Sequence, residues 1–140
     1  MADIALSIAR YALGILVGAM IFFPSVVAPI VFPTLGEAQS SQFLRRMFPR
    51  YYIFMIVASA VAAIALLLAG RYVFAGVAMV IALSTLWVRQ ILVPKINAHR
   101  DAEFAGDAEA GKRFERGHKL SVQINMAQLL ATIVVMVLIA

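Results

Sequence analysis

The chain has no cysteine, two histidines and one tryptophan, and only 14% of its 140 residues are charged. Each shortage removes a class of chemistry. Without cysteine there are no disulfides, no thiolate metal sites and no thiol nucleophile. His99 falls in a polar connector, so a bis-histidine haem between apolar segments is excluded, while a haem held by His118 alone stays open. A metal set of His99, Asp101 and His118 lacks the ligand spacing of a zinc site, and no cofactor is identified. Apart from Asp3, no acidic residue lies in an apolar segment, which disfavours a carboxylate proton relay through a membrane. No P-loop, Gly-rich nucleotide turn or Ser/His/Asp arrangement occurs, so nothing argues for an enzyme.

What the chain has in excess is apolar surface. Hydrophobic residues make up 64% of it and the mean hydropathy is +0.94, against about 45–50% apolar in an ordinary soluble domain. A water-soluble fold of this length has too high a surface-to-volume ratio to hide so much. The expected fold class is an all-α integral membrane protein, a single domain over residues 1–140 forming a four-transmembrane-helix bundle. The apolar runs cover about 4–32, 51–69, 72–93 and 118–140, each near the roughly 20 residues that cross a bilayer. No basic stretch precedes the first run, which therefore reads as a retained span rather than a cleaved signal.

Most basic residues lie in connectors, with Arg10 and Arg89 inside apolar runs. Arg45, Arg46 and Arg50 lie in the first; Lys95, Arg100, Lys112, Arg113, Arg116 and Lys119 lie in the third; the second has only Arg71. The positive-inside rule places the first and third connectors in the cytoplasm and both termini on the other side of a bacterial inner membrane. The net charge of +5 then meets anionic headgroups, which makes membrane lipids the expected partners rather than nucleic acid. In the first connector, Phe43, Leu44, Met47 and Phe48 are spaced as one helical face beside Arg45 and Arg46. That pattern predicts a short amphipathic helix lying on the cytoplasmic surface, with Pro49 opening the second span. The third connector reads as a helical extension ending at Gly111 or Gly117. No internal repeat is visible.

The fourth run is the least apolar. At 100° per residue, His118, Ser121, Asn125, Gln128 and Thr132 fall within roughly 80° of arc. Such a stripe cannot face lipid, where its hydrogen-bonding groups would find no partner. The aliphatic residues from Leu129 to Ile139 contribute roughly −2 to −5 kcal/mol to insertion, which tolerates several uncharged polar groups. On the first run Ser7, Arg10, Gly14, Gly18, Ser25 and Pro29 share an arc of about 100°, and Gly14 with Gly18 forms a GxxxG pair suited to close helix approach. Arg89 lies five residues before Pro94, where it snorkels or turns inward. Pro29, Arg89, Asn97, Arg100, Asp101, His118, Ser121 and Asn125 all belong to the cytoplasmic half, so a polar, cytoplasm-facing cleft among the helix ends is the expected ligand site. The competing account makes Ser121, Gln128 and Thr132 interhelical glue, at about 0.6 kcal/mol per hydrogen bond.

The stretches "VVAPIVF", "LRRMFPRYY", "PKINAHRDAEF" and "FERGHKLSVQIN" carry a resemblance. The chain resembles the small four-span family that includes transmembrane protein 205, found in bacteria as a membrane domain of unknown function. The likeness covers nearly the whole chain. It is most specific at Ala28 and Pro29, at Asn97, Arg100 and Asp101, and at His118, Ser121 and Asn125. It implies a four-helix integral membrane fold and no established reaction. Transport or export roles have been proposed in the family, and the eukaryotic cysteines invoked there for metal handling have no counterpart here.

The expected function is binding of a small molecule, ion or lipid headgroup in the cleft, with His118, Ser121 and Asn125 supplying hydrogen bonds and Arg89 and Arg100 attracting an anion. Transport would extend that role and would call for a homo-oligomer, because one four-helix protomer encloses little pore. Two alternatives stay open: an assembly subunit of a larger membrane complex, and a haem- or quinone-binding redox protein.

Overall fold

A computed structural model describes all 140 residues. The chain is helical almost throughout: α1 (Ala2–Phe22), α2 (Ala28–Leu68), α3 (Tyr72–Trp87), α4 (Val93–Phe104) and α5 (Ala108–Leu138), with π-helical turns at Phe23–Val27 and Val88–Leu92. These join into three continuous runs, Ala2–Leu68, Tyr72–Phe104 and Ala108–Leu138, each long and apolar enough to cross a membrane.

Both π turns have the same origin. Ala28 donates its N–H to the Phe23 carbonyl, five residues back, and Val93 does the same to Val88. In each case proline follows at once, Pro29 and Pro94. A proline ring clashes with the carbonyl four residues before it, and widening the turn relieves that clash. Pro29 thus shapes the backbone of the first run.

The first run bends at Gly36, whose φ of 71° and ψ of 179° are not helical. The limbs on either side pack together: Phe23 meets Phe48 with ring centroids 5.2 Å apart, and Ala12 and Leu13 share a buried cluster with Ala62, Ala63 and Leu66. The other two breaks are Schellman turns. Gly70 donates to Leu67 and Arg71 to Leu66; Gly106 donates to Glu103 and Asp107 to Ala102. Gly70 (φ 73°) and Gly106 (φ 107°) supply the left-handed residue that this motif requires. Asp107 then caps α5, accepting from the N–H groups of Glu109 and Ala110. The bundle therefore has a turn end, with Gly36 and Gly106, and an open end, with both termini and Gly70. At the open end Arg10 donates to the Ile139 carbonyl at 2.6 and 3.2 Å.

Three sequence-based expectations differ from the structure. The separate surface helix over the first connector is absent: helix runs unbroken from beyond Gly36 through Pro49 to Leu68. Proline there removes one N–H without breaking the rod, and the Pro49 carbonyl accepts from Arg89 Nε at 3.3 Å. The third connector ends at Gly106, not at Gly111 or Gly117, which lie inside α5. Those two glycines bring α5 against α4, since a Cβ at Gly117 would lie 2.8 Å from Ile96 Cγ1 and one at Gly111 2.7 Å from Glu103 Oε1. Conversely, nothing lies within 4 Å of a Cβ at Gly18, so the GxxxG pair makes no close crossing within the chain; Leu16 and Met20 hold the buried face instead.

Only 29 of 140 residues are buried, too few to hold the chain's apolar side chains, and Val73, Leu68 and Val137 are each at least two-thirds exposed. The outward faces are solvated by something other than water.

Candidate functional site

Near the turn end the helices enclose two connected rooms. A polar chamber of about 170 Å³ lies among α2, α4 and α5, and an apolar slot of about 410 Å³ lies between the α1 side and α5. Phe32, Leu44, Phe48, Tyr52, His118 and Ser121 line both and form the throat between them.

The throat is built from two helical faces. On α2, Glu37, Ser40, Ser41, Leu44, Phe48 and Tyr52 recur at three- and four-residue spacing, one continuous face that Pro49 does not interrupt. Phe48 and Tyr52 stack with centroids 5.7 Å apart. On α5, His118, Ser121 and Asn125 face them. The His118 ring lies parallel to that of Phe114 at 6.0 Å. Ser121 Oγ donates to the His118 carbonyl at 2.7 Å, and Asn125 Nδ2 lies 3.8 Å from Met55 Sδ.

The chamber's charges are already matched. Arg100 Nη1 sits 3.0 Å from Glu37 Oε1 and 2.8 Å from Glu103 Oε2, and its guanidinium lies over the rings of Phe114 (4.2 Å) and Phe104 (5.0 Å). Arg45 donates to Asp101 Oδ2 at 3.1 Å and to the Asn97 carbonyl at 3.1 Å. Its hydrogen bond holds the Asp101 carboxyl below the ordinary carboxylate range. Arg100 is thus ion-paired through Nη1, while its buried Nε has no hydrogen-bond partner.

Of the residues singled out from the sequence, Asn97, Arg100, His118 and Ser121 line the chamber, and His118, Ser121 and Asn125 line the slot. Pro29 is exposed beside the slot-lining Ala28 and lines neither room; Arg89 bonds Pro49 and Gln90 away from them; Asp101 is on the outer side of Arg45. Deeper along the α5 stripe, Gln128 Nε2 donates to Ser84 Oγ (2.8 Å) and Thr85 Oγ1 (3.1 Å), and Thr132 returns its hydroxyl to the Gln128 carbonyl. These two are interhelical and intrahelical fastenings. Glu37, Arg45, Phe48, Tyr52 and Phe114 are site residues the sequence did not single out. For the four on α2 the signal was the helical spacing from Glu37 to Tyr52, legible only if the helix is carried through Pro49, and for Phe114 its place one turn before His118 on α5. No group of three or more metal-binding acids and histidines occurs.

Fold and composition define an all-helical membrane protein. The chain belongs to the family described as a domain of unknown function, DUF4149, whose pattern matches residues 11–105, more than half of its length. The matched region contains the α2 and α4 walls of the cleft and stops short of His118, Ser121 and Asn125. No curated protein and no solved structure matches the chain significantly.

Proposed function

We propose that the bundle crosses the membrane four times and holds a small amphiphilic molecule in the cleft, its polar head in the chamber and its apolar part in the slot. Length supports the four passes. The 67 residues of the first run would reach about 100 Å at about 1.5 Å each, more than three times a hydrocarbon core of roughly 30 Å, and Gly36 divides them into two packed limbs. The passes are then about 4–32, 51–69, 72–93 and 118–140. Arg45, Arg46, Arg50, Lys95, Lys112 and Arg113 all crowd the turn end, which supports a cytoplasmic turn end with both termini outside, in a bacterial inner membrane. The likeness to the transmembrane protein 205 family belongs to the same picture.

The observation that carries the function is the shared throat. A free ion would use the chamber alone and an apolar solute the slot alone; only a molecule with both parts fills both. Release on the far side would make the protein a carrier.

Native mass spectrometry of protein extracted gently from its own membrane tests this. A reproducible extra mass, one per protomer, is expected. It should fall about tenfold in the His118→Ala/Asn125→Ala double variant, matching two modest hydrogen bonds. Bare protein at one or two protomer masses would overturn the proposal.

A further inference from the structure

Building on the amphiphile reading of the cleft, we propose that the occupant is a phospholipid with a zwitterionic, amine-bearing headgroup, taken sideways from the bilayer through the gap between α1 and α5. Three observations lead there: the charge count around the chamber, its ring faces, and the direction in which the slot opens.

Two guanidiniums, Arg45 and Arg100, and one carboxylate, Glu37, line the chamber, while Asp101 and Glu103 pair the same arginines without lining it. A purely anionic head would meet a guanidinium but leave the displaced Glu37 with no partner. A zwitterion adds no net charge and can exchange partners. Glu37 is the acid able to let go, because its side chain is 66% exposed while that of Arg100 is 17% exposed. A phosphate replacing Glu37 on Arg100 keeps a charge-assisted hydrogen bond to the guanidinium. The displaced Glu37 carboxylate then takes the ammonium of the same headgroup. The aromatic walls suit that ammonium as well. Phe48 and Tyr52 line the throat, and the seat of Arg100 over Phe114 shows a ring face of this chamber already holding a cation.

The slot gives the route. Ile21 on α1 and Val122 and Met126 on α5 line it, and each is 45–51% exposed on the outer surface of the bundle. The same two helices close at the open end, where Arg10 holds the Ile139 carbonyl and Ala9, Leu13, Val135 and Ile139 share one buried cluster. The gap is therefore confined to the half bearing the chamber, which puts the acyl chain at bilayer level and the head at the turn end.

The test uses full-length protein in mixed micelles holding phosphatidylethanolamine and phosphatidylglycerol with identical acyl chains at equal mole fraction, read by native mass spectrometry. One phosphatidylethanolamine per protomer should be retained about fivefold over phosphatidylglycerol, the size of effect one exposed ion pair gives. Glu37→Gln should bring that ratio to near unity without unfolding the protein, and soluble phosphoethanolamine should leave the lipid in place. Retention of phosphatidylglycerol equal to or above phosphatidylethanolamine, still lost on Ser121→Trp, would overturn the headgroup assignment and leave the amphiphile cleft standing. Displacement by phosphoethanolamine alone would overturn the lateral lipid route. Equal retention of both lipids in the parent and in Ser121→Trp would overturn the cleft itself.

Discussion

Replacing Ser121 with tryptophan is expected to empty the cleft while leaving the bundle folded. Ser121 lines both the chamber and the slot and is half-buried. An indole projecting from this position must occupy the throat, where Phe48 and Tyr52 stand across from α5. In a close-packed core such an insertion costs about 1–3 kcal/mol, but here the slot already offers about 410 Å³ of room. Bound amphiphile should fall at least about tenfold, a loss of roughly 1.4 kcal/mol, with the helical circular-dichroism signal and its melting midpoint little changed. Leu130→Trp is the control. Leu130 follows the slot-lining Leu129 but lines neither room and is exposed on the outer face of α5, and its variant should bind as the parent does. Undiminished binding in Ser121→Trp would mean that the throat is not where the molecule sits.

The largest effect on stability is expected at Gly36. Its φ of 71° with ψ of 179° lies in a region that side-chain-bearing residues essentially do not visit, at a cost of about 1–3 kcal/mol. No atom lies within 4 Å of a Cβ there, so the penalty in Gly36→Ala is one of backbone conformation rather than of crowding. Asparagine, which tolerates the αL region, should not rescue it, because αL requires ψ near +30 to +60°. Thermal unfolding in detergent should show both variants melting below the parent. Gly18→Ala, at a helical position with equally open surroundings, should not. Melting of Gly36→Ala at the parent temperature would show that the reversal does not depend on this dihedral pair, and with it would go the division of the first run into two packed limbs.

Much of this architecture is legible in the residues themselves. Apolar runs announce the helices, and the 100° arithmetic on α5 brings His118, Ser121 and Asn125 to one face, where the structure also has them. The same arithmetic cannot say where along α5 the cleft stops. Asn125 is its last polar residue, and Gln128, one turn on, meets Ser84 and Thr85 in the packed interior. That boundary depends on where α1 and α5 part, a property of two helices at once. Arg45 reads as a topology signal because only the fold brings it to Asp101, 56 residues away. Glu37 to Tyr52 are hidden for a local reason. Proline usually ends a helix, so Pro49 invites a boundary that the structure does not have. Gly111 and Gly117 invite the opposite error. They look like helix stops, yet the glycine-then-aspartate pair at Gly106 and Asp107 is the true stop and start. What they provide is the closeness of α5 to Ile96 and Glu103.

Photo-crosslinking tests the central claim, that an amphiphile enters the cleft from the side, most directly. A phospholipid carrying a diazirine in its acyl chain is incorporated with the full-length protein, irradiated, and the adducts are mapped by tandem mass spectrometry. Labelling is expected to concentrate on Ile21, Val122 and Met126, and to fall when excess unlabelled lipid competes. Adducts spread evenly over outward residues such as Ile64, Val80 and Leu138, unaffected by competitor, would contradict the account and reduce the cleft to a gap between helix ends.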